Sequence, residues 1–133
     1  MAKLIDFKQF ADNRGSLVAV EGLLDIPFEI KRVFYVSGVS PGSTRGNHAN
    51  RNSEFVLIAL AGSCTVQVDD GHQVLTKRLD KPSEGLYIPK MIWKTMSNFS
   101  SDCILLILAS EHYNPEEFVS VHDDFLAEVR ADV

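Results

Sequence analysis

The feature that most limits what this chain can fold into is a succession of short β-type runs, each closed by turn-forming residues. Residues 17–20 are followed by Gly22, and residues 30–36 lead into Ser37-Gly38 and Pro41-Gly42. Residues 55–60 end at Gly62, and residues 64–68 alternate in hydrophobicity up to Asp69-Asp70-Gly71. Asp-Gly between two such runs is a hairpin signal, because the glycine supplies the positive φ that a tight turn needs. Residues 73–79, 86–88, 92–96 and 104–109 complete the series. About eight or nine strands at this spacing predict an all-β, antiparallel sandwich or closed barrel. Ile104-Leu105-Leu106-Ile107-Leu108 is apolar at every position, so both of its faces are expected to be covered.

Only the tail reads as helix. Asn114 can cap, Pro115 suits a first helical position, and Glu116 and Glu117 favour the positive helix end. Residues 123–129 form a second short helical candidate. With 133 residues and no linker or repeat, one domain over the whole chain is expected. The net charge of -5 argues against a nucleic-acid surface, which needs clustered Lys and Arg. A small anion needs only one local arginine pocket. No apolar run approaches the ~20 residues of a membrane span, and the start is broken by charges, so the expected location is the cytoplasm. Cys64 and Cys103 lack CxxC spacing and lie in apolar runs, as buried reduced thiols do.

The stretch that carries chemistry runs from Gly42 through Arg45-Gly46-Asn47-His48-Ala49-Asn50 to Glu54 and Gly62. It resembles the first motif of the cupins: a glycine, an HxH pair, a glutamate and a glycine at a strand turn. Period-two geometry puts His48 and Asn50 on one strand face, towards the interior. Metal-binding cupins place two histidines and a glutamate there, with a third histidine on a later strand. Here Asn50 replaces the second histidine, and Trp93 falls near the place of the third, in Gly85-Leu86-Tyr87-Ile88-Pro89-Lys90-Met91-Ile92-Trp93. His48 and Glu54 are too few ligands for a tight site, so no metal and no cofactor are expected. The resemblance implies an RmlC-like jelly-roll cupin with a short C-terminal helical segment.

A closer resemblance rests on several motifs in order. These are Asn13-Arg14-Gly15-Ser16-Leu17-Val18, Ile30-Lys31-Arg32-Val33-Phe34-Tyr35, Arg45-Gly46-x-His48-Ala49, Gly62-Ser63-Cys64, Asp69-Asp70-Gly71, Gly85-Leu86-Tyr87, Phe99-Ser100-Ser101-Asp102-Cys103 and Leu108-Ala109-Ser110-Glu111-x-Tyr113. Together they are similar to the sugar 3,4-ketoisomerases of the WxcM-like group, which act on dTDP-4-keto-6-deoxyglucose. The resemblance implies a shift of the keto group from C4 to C3 through an enediol, feeding 3-amino-3,6-dideoxy sugars of bacterial surface polysaccharide. It implies His48 as the base and a homodimer, sometimes with exchanged N-terminal strands, which suits residues 5–10 as a peripheral strand. Members with Arg-Gly at the place of Arg14-Gly15 tend to give the galacto-configured product. The family's usual second histidine is Asn50 here, which can hydrogen-bond a sugar oxygen but cannot trade protons.

The other site candidates follow from residue type. Arg14, Arg32 and Arg45 have forks that fit a diphosphate, against the ordinary fate of a surface arginine in a salt bridge. Tyr35 is expected to order the sugar or the base, with Phe34 on the opposite face in the core; a one-residue slip exchanges the two. Trp93 either stacks on thymine or belongs to the core. Glu54 is expected to orient His48 or an arginine, and Tyr87 and Lys90 to flank the mouth. His72, in a turn, His112 and His122 are not expected to take part in catalysis. Two other readings stay open: a sugar-nucleotide 3,5-epimerase on the same barrel, and a non-catalytic nucleotide-sugar-binding module in which Asn50 marks lost chemistry.

Overall fold

The computed structural model describes residues 1–131. Its strands are β1 (Lys3–Asp6), β2 (Gln9–Asp12), β3 (Gly15–Val18), β4 (Arg32–Ser37), β5 (Arg45–Asn50), β6 (Phe55–Ala61), β7 (Cys64–Asp69), β8 (Val74–Leu79), β9 (Glu84–Ile88), β10 (Trp93–Ser97), β11 (Ile104–Ala109) and β12 (Phe118–Val119). One five-stranded sheet has the order β1-β9-β6-β11-β4 and the other β12-β5-β10-β7-β8, while β2 and β3 form a separate hairpin. Every strand pairing in these ladders is antiparallel. The two sheets pack face to face as a jelly roll, as expected for a cupin.

The core between the sheets follows from alternation. On β7, Val66 and Val68 are buried and Gln67 is exposed. They meet Leu57, Leu86, Leu105 and Ile107 from the other sheet. Strands β6 and β11 lie inside their sheet, so their even positions are covered as well. Val56, Ile58 and Leu108 pack on the outer face under Phe7, Ile26 and Phe28. The fully apolar run thus has both faces covered, except at Ile104, which is 38% exposed at the strand end.

The tail behaves as its residues demand. Asn114 caps a 3-10 turn over Pro115–Glu117, its side chain accepting the Glu116 N–H. That turn delivers β12 to the edge of β5, where Phe118 pairs with Asn50. Helix α1 (His122–Arg130) then covers the outside of the second sheet, with Phe125 fully buried. Cys64 and Cys103 are buried free thiols, and burial pushes the Cys64 thiol up to about 12. No helix among the described residues is long and apolar enough to cross a membrane.

Candidate active site

Strand β5 does not run as a regular ladder. Lys94 pairs with His48, but Thr95 pairs with Gly46, so Asn47 is an extra residue in a β-bulge. Gly46 and Asn47 both have positive φ, +86° and +59°. Asn47 turns outward, where it hydrogen-bonds Thr44 and Thr95 at 3.2 Å each. The bulge has a direct consequence for the site. Period two places His48 and Asn50 together, and the inserted residue adds Arg45 to the same face. All three line one cavity.

A methyl group at Gly46 would lie 2.8 Å from the Lys94 carbonyl oxygen, on a backbone conformation that only glycine adopts freely. Gly46→Ala is therefore expected to destabilise the fold by about 1–3 kcal/mol, measured by denaturant unfolding. Unchanged stability would show that the bulge relaxes without cost.

The cavity has a volume of about 410 Å³, within the range of small-ligand sites. It opens between the sheets. Its apolar wall comes from Phe34, Val36, Phe55, Leu57, Met96 and Ile107, and Tyr113 and Phe118 close one side. Its polar groups are Arg32, Arg45, His48, Asn50 and Lys94, with no carboxylate among the lining residues. An acidic chain has thus built a basic pocket, and a basic pocket favours an anionic ligand.

His48 is oriented from two sides. Its Nδ1 is 3.0 Å from the Gly46 carbonyl oxygen, which can only accept. The proton therefore sits on Nδ1, leaving the Nε2 lone pair free. Phe118 stacks on the ring at 4.6 Å. Burial, and next the Lys94 charge, hold the imidazole below its ordinary 6.5. The neutral base form prevails at neutral pH.

The sequence does not single out Lys94. It is 5% exposed, and its Nζ donates to Asn50 Oδ1 at 2.8 Å and lies 4.7 Å above the Phe55 ring. Burial pushes its pKa down to about 7, against the opposing pull of Glu117. The signal was present: Ile92, Lys94 and Met96 share one strand phase, and all three are buried. From sequence, Glu117 stands out only as a helix-start acid. It is 3% exposed, and its carboxylate accepts from the Ser53 hydroxyl at 2.7 Å and from the Ser53 and Asn52 N–H groups at 2.8 and 3.1 Å. It ties the Pro115–Glu117 turn to the end of β5. Two buried donors at the cavity, Arg32 Nε and Asn50 Nδ2, have no hydrogen-bond partner among the described residues.

Several candidates do not line this chain's own cavity. Tyr35 is 69% exposed on the outer face of β4, while Phe34, assigned to the core, lines the cavity. The partners of Arg32, Phe34 and Val36 are Ala109, Ile107 and Leu105, all inward-facing, so the strand sits one residue out of the expected phase. Of the two places open to Trp93, the structure gives it the apolar one, packed on the Ala49, Val119 and Phe125 cluster. It faces away from the cavity, in edge contact with His122 at 5.0 Å and beside Phe125 at 5.9 Å, because α1 offers it an outer apolar surface. Glu54 accepts from the Tyr87 hydroxyl, and Tyr87 packs with Phe28 on the outer face of the first sheet. Burial and then Glu54 push Tyr87 up to about 12. Neither residue lines the cavity, and Glu54 therefore does not orient His48. Lys90 is exposed in the turn before β10. Arg14 stands at the β2–β3 hairpin, its side chain 87% exposed and paired with Asp12 at 2.6 Å.

Comparison with known proteins narrows the chemistry. The chain is 44% identical, over 92% of its length and 88% of the relative's, to a TDP-4-oxo-6-deoxy-α-D-glucose-3,4-oxoisomerase of Aneurinibacillus thermoaerophilus. It superposes on a 3,4-ketoisomerase from Helicobacter canadensis with a TM-score of 0.93 and 44% identity, covering 96% of each chain. It also matches a histidine-to-asparagine variant of the 3,4-ketoisomerase QdtA from Thermoanaerobacterium thermosaccharolyticum, solved in complex with TDP-4-keto-6-deoxyglucose. That match has a TM-score of 0.95 and 38% identity over 98% of this chain and 94% of the other. The family model described as FdtA, WxcM-like, C-terminal, matches residues 1–130, and the chain belongs to that family.

Proposed function

We propose that this cavity isomerises a thymidine-diphosphate-linked 4-keto-6-deoxyhexose to its 3-keto isomer, with His48 carrying the proton from C3 to C4. The observation that carries the reading is the imidazole itself: half-buried, fixed by Gly46 and Phe118, and neutral at physiological pH in a basic cavity. A C3 proton next to the C4 carbonyl is acidic enough for such a base, and the resulting enediol is reprotonated at C4. Arg32 and Arg45 bind the diphosphate, and the unpartnered Arg32 Nε supports a ligand acceptor at that point. Asn50 hydrogen-bonds a sugar oxygen through its free Nδ2.

The protein works as a homodimer in this reading. Val33, Tyr35 and Leu60 on the outer face of the first sheet are 58%, 69% and 46% exposed, and Phe10 and Leu17 on the hairpin are 54% and 58% exposed. Such an apolar strip suits a second copy. Arg14 reaches a cavity only through that pairing, and the Arg14-Gly15 pair favours the galacto-configured product. Two buried free thiols fit a reducing compartment, hence the cytoplasm. The product would serve an amination at C3, on the way to a bacterial surface polysaccharide.

The test is incubation with dTDP-4-keto-6-deoxyglucose in D2O, followed by NMR. A new 3-keto signal with deuterium in the ring is expected. Tight nucleotide binding without exchange or product would instead identify a binding module, and exchange at C5 an epimerase.

A further inference from the structure

We propose that Lys94 is a second catalytic residue of this chain, handing a proton to O4 of the sugar and taking one back from O3 while His48 moves the carbon-bound proton. This rests on the ketoisomerase reading and adds to it a carrier for the oxygen-bound proton. Moving a keto group between neighbouring carbons requires two transfers: hydrogen from C3 to C4, and a proton from O3 to O4. One imidazole serves the carbons. Asn50, beside it, cannot exchange a proton with either oxygen.

Lys94 is placed for the second transfer. It pairs directly with His48 across the β5–β10 ladder and lines the same cavity. Its ammonium has three donors and makes one hydrogen bond, to Asn50. A lysine buried for structure alone would be expected to face a carboxylate, but the nearby acid, Glu117, is engaged by Asn52 and Ser53. The charged and titratable groups around Lys94 are His48 and Arg45 from β5, Arg32 from β4, Tyr113 from the segment after β11 and Glu117 from the Pro115–Glu117 turn. In that basic, buried setting the amine and ammonium forms differ little in energy near neutral pH.

The step balances. His48 Nε2 takes the C3 proton, the C3–H electron pair becomes the C3–C4 double bond, and the carbonyl π pair moves onto O4. The Lys94 ammonium protonates O4 and becomes the neutral amine. The amine then removes the O3 proton, the C3 carbonyl forms, and the double-bond pair takes the proton from His48 at C4. Both residues return to their starting states.

The test compares the parent chain with K94R and K94Q in three measurements: TDP affinity, kcat across pH 5.5–9, and deuterium uptake at C3 in D2O. Arginine keeps the positive charge but does not give up its proton. K94R is expected to bind TDP within threefold of the parent and to exchange C3 hydrogen, while kcat falls about a hundredfold. The parent is expected to lose kcat on the alkaline side as the Lys94 ammonium deprotonates, and that fall should be absent from K94R. K94Q should bind TDP but lose both exchange and turnover. Either variant turning over within threefold of the parent overturns the proposal. So does loss of TDP binding in parallel with activity in both variants, which marks Lys94 as structural. A parent chain that gives neither exchange nor product overturns the ketoisomerase reading and this proposal with it; an active parent with active variants overturns only the role of Lys94.

Discussion

His48→Asn is expected to lower kcat about a thousandfold, the scale of a lost general base, while TDP affinity stays within a few-fold. Asparagine fills similar space and can keep a hydrogen bond to the Gly46 carbonyl, but it has no lone pair able to take a carbon-bound proton. Arg32 and Arg45 remain to hold the nucleotide. The pH dependence supplies a second check. Burial and the Lys94 charge disfavour the imidazolium, so His48 becomes a competent base at a lower pH than a free histidine does. The acid limb of kcat/KM in the parent should therefore lie below 6.5, the ordinary histidine value. A variant that keeps a tenth or more of parental kcat would remove His48 from the proposed mechanism.

Glu117→Ala is expected to cost about 3–5 kcal/mol of folding stability, a large share of the ~5–15 kcal/mol that holds a domain together. The carboxylate accepts two backbone N–H groups and the Ser53 hydroxyl at a site that is 3% exposed, and removal strands all three donors. Burial by itself would raise the Glu117 pKa. The hydrogen bonds from Ser53 and Asn52 outweigh it and hold the group below its ordinary 4.5. With the folded value depressed, the stabilisation is full above 4.5 and is lost as pH falls through the folded pKa. Urea unfolding at pH 7 and at pH 4 should show the gap between parent and variant narrowing at the lower pH. A loss of less than about 1 kcal/mol at neutral pH would mean that water replaces the carboxylate.

The two residues share one origin. Glu117 anchors the turn that brings Phe118 against His48, and Asn50 links Lys94 to the same corner. The stability of the tail and the orientation of the base are thus one packing problem, although the residues lie far apart in sequence.

The sequence by itself determined the strand series, an antiparallel sandwich or barrel, the Asn114-capped turn, the short final helix and the placement of His48 with Asn50; the choice of a jelly roll came from the resemblance to the cupins. These depend on local quantities: period-two alternation, turn chemistry at Asp-Gly and Pro-Glu, and a motif whose residues are contiguous. Phase in two-sided strands was different. In Arg32–Ser37 both phases carry apolar residues, so period two is satisfied either way, and only pairing with β11 turned Phe34 inward and Tyr35 outward. In β10 an apolar tryptophan faces out and a lysine faces in. Helix α1 covers one, and Asn50 hydrogen-bonds the other. Arg45 enters the cavity because a bulge adds one residue to the count. The register of one strand against its neighbours cannot be read from that strand alone, and that register decided which side chains the cavity holds. His48 was legible in the sequence; its partner Lys94 left there only a strand phase shared with Ile92 and Met96, and its burial beside His48 was decided by the assembled sheets.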